Sequence, residues 1–160
     1  VNLLLMKFEC WRHGADGTSK LMQNAVFGKS NAPYDGPGAT GYEWLSRDQV
    51  EVDAYVADEQ CGFVLSPGSL IDLSQGSAIS QHELSLLKIP LNLPIYIFSG
   101  SEDPVHGEQA DLDRLVNAYR KRGLTQLSYK LYPGGRHEMF NETNKDEVVT
   151  DLVQWLEQQL

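Results

Sequence analysis

The sequence has few cysteines and no long apolar run. Cys10 and Cys61 stand far apart, without a Cys-x-x-Cys pair or a histidine cluster, so the pattern predicts neither a disulfide framework nor a metal site. This cysteine usage fits a reducing cytoplasm best. The apolar start, Val1 to Met6, is far shorter than the roughly 20 residues of a membrane span and lacks a signal-peptide cleavage pattern. We therefore expect no stable membrane insertion.

Positive charge is also scarce. The chain has 13 basic and 22 acidic residues, which gives a net charge of -9 and a pI near 4.8. Such a chain repels phosphate backbones, so nucleic-acid binding is not expected, and anionic membranes are disfavoured for the same reason. With 160 residues and a hydrophobic composition of 41%, its length allows one domain with a core of its own.

Two apolar runs late in the chain each lead into a turn that carries a candidate catalytic side chain. Residues 93–98 are almost continuously apolar, which is typical of a parallel strand buried on both faces, and the turn after them contains Asp103. Residues 127–131 predict a second strand, followed by a Pro-Gly-Gly turn and His137. Because ligands collect at the carboxyl edge of such sheets, the carboxylate and the imidazole should meet there. A carboxylate that orients an imidazole is the arrangement of a general base.

Each member of this pair also has a structural explanation. Asp103 precedes a proline and could serve only its turn, and His137 could be a structural histidine bonded across its loop. Their joint placement after two strands favours catalysis. We interpret Arg136 and Glu138 as salt-bridge partners that fix the histidine loop, and Glu142 as a residue that caps or braces the last helix.

The remaining histidines and nearby hydroxyls are weaker candidates. His106 lies at a predicted helix start and is expected to be solvated. His13 and His82 lie in segments that offer no evident partner. Ser99 and Ser101 are the hydroxyls nearest to the acid, but neither occupies a nucleophile elbow, so neither is predicted to act as a nucleophile.

Helical patterns surround the two strands. Capping residues and apolar periodicity predict helices over residues 3–11, after Thr18, from Ser46 to about Ala57, from Ser66-Pro67 onward, from about residue 110 to Gly123, and over residues 145–159. Residues 27–41 are rich in Gly, Pro, Asn and Asp and predict a loop. The late order of strand, helix, strand and helix predicts a parallel α/β sheet.

Several of these stretches resemble an α/β-hydrolase of the serine aminopeptidase S33 or monoacylglycerol lipase (lysophospholipase)-like branch. Residues 99–105 and 132–138 resemble the C-terminal part of such an enzyme. Residues 44–48, 53–55 and 58–63 resemble the segment that follows the cap in that group. The resemblance implies the C-terminal part of an α/β-hydrolase fold, with residues 1–41 as helical cap and linker and residues 42–160 as core. It also implies an acyl-binding lid over the site; the plain alternative is a pair of ordinary core-facing helices.

The chain departs from the family in the nucleophile. No Gly-x-Ser-x-Gly occurs in its 160 residues, although that elbow carries the family's serine and precedes the cap. In the family's order of nucleophile, acid and histidine, Asp103 would be the acid and His137 the base. We therefore expect the C-terminal portion of a longer serine hydrolase, whose absent N-terminal half supplies the serine, the oxyanion hole and the missing strands.

The resemblance also implies a substrate class. Monoacylglycerol or lysophospholipid esters are expected first, with small acyl esters or peptides close behind, and no cofactor is implied. The alternative function is non-catalytic: a binding or interaction module on a hydrolase-like scaffold, or one half of an assembly that a second polypeptide completes. An elbow motif encoded upstream in the same reading frame would favour the enzyme.

Overall fold

The computed structural model describes residues 3–160; Val1 and Asn2, where the predicted segment 1–41 and the apolar start begin, lie outside the described residues. Over residues 3–160 the elements are, in chain order, α1 (Leu3–His13), α2 (Lys20–Phe27), a first 3₁₀-helix (Ala32–Tyr34), α3 (Gln49–Ala57), α4 (Pro67–Ser80), α5 (Glu83–Leu86), β1 (Ile95–Gly100), α6 (Gln109–Arg122), β2 (Leu127–Tyr132), a second 3₁₀-helix (Met139–Asn141) and α7 (Lys145–Glu157).

The two strands form a parallel pair, which confirms the predicted α/β arrangement. The register runs from Ile95 opposite Leu127 to Gly100 opposite Tyr132. Within residues 3–160 the sheet contains these two strands alone. The expected burial on both faces is therefore wrong for β1, where only Gly100 is fully buried, because within the described chain α7 covers the other residues only partly and one edge of the strand has no partner.

Helix α7 covers one side of the sheet. Val148 and Tyr132 are fully buried and form a cluster with Met139, against which Phe98 packs. Farther along α7, the ring of Trp155 stacks on Tyr96 of β1 at a centroid distance of 5.6 Å. The packing of Val148 and Met139 against Tyr132 fixes the end of β2, and with it the start of the loop that carries the candidate histidine.

The predicted helix starts are correct to within two residues. Ser66 caps α4 as predicted, with its hydroxyl accepting from the backbone three residues on. Asp48 rather than Ser46 caps α3, and Ser19 rather than Thr18 caps α2. Ser46 Oγ instead accepts the backbone N–H of Asp48 at 2.9 Å and donates to the carbonyl of Asn141 at 2.7 Å, so it stabilises the turn before α3.

Helices α1, α2 and α4 form a second cluster. Met6 of α1, Met22 of α2 and Leu70 of α4 are its fully buried members. Ser19 Oγ also donates to Glu9 Oε2 at 2.6 Å, which ties the start of α2 to a buried carboxylate of α1. This helical layer combines α1 and α2 with α4, and the division of the chain at residue 41 stays a prediction.

Over residues 3–160, no helix has both the length and the apolar character that a membrane crossing requires. No cluster of three or more His, Cys, Asp and Glu side chains suited to a metal ion occurs in the same range. Cys10 and Cys61 are free thiols and half-buried.

Candidate active site

Asp103 lies just beyond the carboxyl end of β1, in the segment 101–107 that we call the acid loop. Its carboxylate is nearly buried, and Oδ1 accepts the backbone N–H of Val105 at 2.8 Å. Burial raises the pKa of this carboxyl, but the hydrogen bonds from His137 and Val105 outweigh burial and leave the pKa below its ordinary value. Asp103 is therefore ionised at neutral pH.

His137 lies in the segment 133–138 after β2, which we call the histidine loop. Its Nδ1 is 3.1 Å from Asp103 Oδ2 and 3.2 Å from Oδ1, so the structure brings the two predicted site residues together. The hydrogen bond to Asp103 raises the pKa of His137, and burial opposes it only partly. The His137 side chain is 37% exposed against 7% for Asp103, and its Nε2 has no hydrogen-bond partner among residues 3–160. The imidazole is thus oriented through one nitrogen while the other is accessible.

The histidine loop is held against the segment that precedes α3. His137 donates its backbone N–H to the carbonyl of Trp44 at 3.3 Å, and Glu138 donates to Leu45 at 2.8 Å. The indole of Trp44 also lies 5.0 Å from the imidazole centroid at an angle of 36°. Periodicity and turn patterns do not predict this contact, because the two segments are more than 90 residues apart.

Glu142 is the buried anchor of the histidine loop. Its side chain is 0% exposed and accepts from Arg47 N at 3.1 Å, Arg47 Nε at 2.8 Å, Arg136 N at 2.9 Å and Thr143 N at 3.1 Å. Burial raises the pKa of this carboxyl, but the donors together lower it below its ordinary value. Glu142 also accepts at its backbone carbonyl from Lys145, the first residue of α7. It therefore supports the loop and the last helix together.

Arg136 and Glu138 support the loop through partners other than the predicted salt bridges. Among the described residues neither forms an ion pair. Arg136 Nη1 instead donates to the carbonyls of Glu43 at 2.6 Å and Ser46 at 3.0 Å, because the loop directs the guanidinium toward that backbone. Glu138 accepts from the side chain of Asn141 at 2.7 Å.

The acid loop and the histidine loop touch each other through glycines. Glu102 N donates to the carbonyl of Gly135 at 2.9 Å, and Gly134 N donates to Ser101 Oγ at 2.8 Å. A Cβ on Gly100 would overlap the backbone of Gly135. Gly134 has φ +70, as the predicted sharp turn requires. Glycine at position 100 thus permits a close approach that its place in the β1 sequence did not reveal.

The other histidines have partners that the sequence did not reveal. His106 is half-buried with Nε2 2.9 Å from the carbonyl of Gly100, so the expectation that it is solvated is wrong. His82 caps α5 by accepting a backbone N–H at Nδ1. His13 lies 3.4 Å from the buried carboxylate of Glu9. The partners of His13 and His82 lie within four residues along the chain, and the partner of His106 is the last residue of β1.

Two cavities are lined by side chains of the candidate site or by its neighbour Trp44. One of about 460 Å³ is lined by the pair itself together with Phe98 and Phe140. The second, of about 410 Å³, is lined by residues of α2, by the loops around it and by Trp44, whose ring also contacts His137. Cavities of this size are typical of small-molecule sites.

A carboxylate-oriented imidazole can accept a proton from a nucleophile and return it to a leaving group. Within residues 3–160, no Ser, Thr or Cys side chain hydrogen-bonds to His137. The closest candidate hydroxyl, Ser99, donates to Asp103 Oδ2 at 3.3 Å instead. The described residues therefore contain a paired carboxylate and imidazole, and the expectation that neither nearby serine attacks is consistent with this geometry.

Comparison with known proteins places the chain among hydrolases. The family model described as serine aminopeptidase, S33 matches residues 12–144. A monoacylglycerol lipase of Mycolicibacterium smegmatis is 27% identical over 117 residues, which cover 70% of this chain and 38% of that protein.

Solved structures share the fold. A thermostable carboxyl esterase from Bacillus coagulans, in complex with glycerol, superposes with a TM-score of 0.84 at 23% identity, covering 98% of this chain and 51% of that one. A soluble variant of monoglyceride lipase from Saccharomyces cerevisiae, in complex with a substrate analogue, gives a TM-score of 0.64 at 20% identity, covering 77% and 43%. The chain thus spans about half the length of these structures, or less.

Proposed function

Because the chain belongs to the serine aminopeptidase S33 family of α/β-hydrolases, we propose that it carries the acid and the base of a serine hydrolase that cleaves acyl esters. Asp103 is the proposed acid and His137 the proposed base. The observation that carries the proposal is the contact of 3.1 Å between His137 Nδ1 and Asp103 Oδ2, with Nε2 left without a partner in the described residues. The proposed nucleophile is a serine outside these 160 residues.

The proposed reaction uses the imidazole twice. His137 Nε2 takes the proton from the serine hydroxyl while the serine oxygen attacks the acyl carbonyl. The same nitrogen then returns that proton to the leaving alcohol, and water hydrolyses the acyl-enzyme by the reverse sequence. Asp103 stays ionised throughout, because its lowered pKa reflects hydrogen bonds that favour the carboxylate, and it stabilises the imidazolium.

The proposed substrates are monoacylglycerols, with lysophospholipids and small acyl esters as the next candidates. Two of the relatives are a monoacylglycerol lipase and a monoglyceride lipase, and the esterase structure contains glycerol. The cavity of about 410 Å³ offers aromatic surface from Phe27, Tyr55 and Phe63 beside Trp44. A net charge of -9 favours neutral headgroups over anionic ones. An aminopeptidase substrate would need an acidic side chain to hold its amine, and the described lining of this cavity contains no Asp or Glu.

The sheet must gain strands for this proposal to hold. The residues of β1 and β2 before Gly100 and Tyr132 are only half-buried, and each strand has one unpaired edge within the described chain. We propose that a segment outside these 160 residues, in the same polypeptide or in a partner chain, completes the sheet and supplies the serine and the oxyanion hole.

The free thiols support the proposed cytoplasmic location.

The direct test is His137→Ala in the full-length protein, meaning the complete natural polypeptide in which these residues occur. Hydrolysis of p-nitrophenyl esters of graded chain length should fall by at least about 10⁴-fold in kcat. His82→Asn is the matched control, since asparagine can still cap α5 and the residue lies outside the site. Turnover by the His137 variant within tenfold of wild type would remove the assignment.

Active-site labelling separates the enzyme from the non-catalytic alternative. A fluorophosphonate probe should modify one serine of the full-length protein, and His137→Ala should slow that labelling, because the serine loses its base. A binding module on the same scaffold would give neither turnover nor labelling. Labelling that appears only after a second polypeptide is added would indicate the two-chain assembly.

A further inference from the structure

Tyr34 joins the two loops that carry the proposed acid and base. It ends the first 3₁₀-helix, in a segment that sequence analysis treated only as a linker. Its hydroxyl donates to the backbone carbonyl of Glu102 at 2.6 Å. Glu102 immediately precedes Asp103, so this hydrogen bond acts on the backbone of the acid loop.

The ring of Tyr34 contacts the histidine loop. The guanidinium carbon of Arg136 lies 3.9 Å from the centre of the ring, which is cation–π geometry. Arg136 immediately precedes His137, and its Nη1 is already held by two backbone carbonyls near the start of α3. One side chain therefore touches the residue before the acid and the residue before the base.

Tyr34 is itself held in place by a buried asparagine. Its backbone N–H donates to the carbonyl of Asn31 at 2.7 Å, and Asn31 is only 8% exposed. The amide of Asn31 donates to Asp35 at 2.7 Å and Glu43 at 2.8 Å and accepts from Trp44 N at 3.0 Å. The hydrogen bonds of Asn31 thus hold the turn that carries Tyr34, both within the turn at Asp35 and to the segment of Glu43 and Trp44.

We infer that Tyr34 is a positioning residue, which keeps the carboxylate of Asp103 and the imidazole of His137 in hydrogen-bonding register by holding both loops at once. Its effect on turnover rests on the proposed hydrolase function, whereas its effect on the Asp103–His137 geometry does not. A catalytic pair needs such support because misplacement by about 1 Å can cost about 10²-fold in rate.

A simpler role for Tyr34 is to anchor residues 31–43 to the rest of the chain. Loss of that anchor would lower stability but leave the geometry of the pair unchanged. The pKa of His137 separates the two roles, since the hydrogen bond that His137 donates to Asp103 is the main reason that this pKa is raised. Burial raises the pKa of Tyr34 above 10, so the residue is neutral near pH 7 and its removal changes no charge there. Any change in the pKa of His137 then reports geometry.

The experiment follows the ring resonances of His137 by NMR during a pH titration of the full-length protein. Tyr34→Phe removes the bond to Glu102 and keeps the ring, and Tyr34→Leu removes both contacts. We expect the pKa of His137 to fall toward its ordinary value of 6.5 in Tyr34→Phe and to fall further in Tyr34→Leu. Tyr42→Phe is the control, because it removes a comparable hydroxyl-to-carbonyl bond, to Gly62, away from both loops; it should leave this pKa unchanged.

Ester hydrolysis gives a second readout. Tyr34 lies outside the linings of both cavities beside the pair, so Tyr34→Phe should lower kcat by about tenfold and leave KM close to wild type. If Tyr34→Phe folds and His137 titrates as in wild type, the positioning role is wrong, whatever the activity. If the pKa falls but no variant, including wild type, hydrolyses esters, the positioning role stands and the proposed function fails.

Discussion

Replacing Glu142 by glutamine should destabilise the protein strongly, although the two side chains have almost the same size. The carboxylate is fully buried and accepts two N–H groups at each oxygen: Arg47 N and Arg136 N at Oε1, and Arg47 Nε and Thr143 N at Oε2. A glutamine amide has one acceptor oxygen. Whichever way it points, its NH₂ group faces two donors, and those donors lose their acceptor.

The size of the effect follows from burial. Removing one partner of a buried ion pair costs about 3–5 kcal/mol. Arg47 is 31% exposed and keeps some contact with water, so we expect the lower end, about 3 kcal/mol. For a protein of this size that corresponds to a fall of roughly 6–12 °C in Tm.

Urea denaturation of the full-length protein, followed by circular dichroism, measures this difference. Glu59→Gln is the matched control: it removes the same charge from an exposed site and should change the free energy of unfolding by less than about 0.5 kcal/mol. Equal effects of the two substitutions would refute the argument from buried hydrogen bonds.

The pH dependence adds a second check on Glu142. Its pKa in the folded protein is below its ordinary value of 4.5, so the carboxylate contributes stability that is complete above pH 4.5. That contribution is lost as the pH falls through the lowered pKa. The difference between wild type and Glu142→Gln should therefore shrink in acid, and a difference that grows there would contradict the assignment.

Two further predictions concern the acid and the loop contact. Asp103→Asn should lower kcat by about 10⁴-fold and move the acidic limb of the pH–rate profile to lower pH, because His137 loses the partner that raises its pKa; an unmoved limb would contradict the pairing. Gly100→Ala should destabilise the protein by about 1–3 kcal/mol, because the new methyl overlaps Gly135. Gly76→Ala, in open space within α4, should instead stabilise it by about 0.5–1 kcal/mol, and urea denaturation compares the two.

Sequence patterns were sufficient for the parts of the fold that depend on neighbours along the chain. The two strands, the proline-opened helix α4 and the glycine that ends α6 are where periodicity and capping residues predict them. These features are predictable because a helix cap or an apolar strand depends only on residues a few positions away along the chain. The expectation of burial on both faces of β1 failed, since burial depends on what else covers the sheet.

The contacts of the candidate site also include some that the sequence predicts and some that it does not. The meeting of Asp103 and His137 was predictable, because parallel strands bring successive loops to one edge of the sheet. The two hydrogen bonds from Arg47 to Glu142 and the contacts of Arg136 with Glu43 and Ser46 were not, because they join residues separated by as many as 95 positions.

The sequence by itself determined which residues are candidates for the chemistry: a carboxylate after one strand, an imidazole after the next, and a loop rich in glycine between β2 and α7. Only the tertiary structure decided how that imidazole is held. The contacts that surround its loop come from Tyr34, Trp44 and Arg47, which precede β1 by many residues. Side-chain chemistry is a local property of the chain, whereas the orientation of a side chain depends on every segment that packs against it.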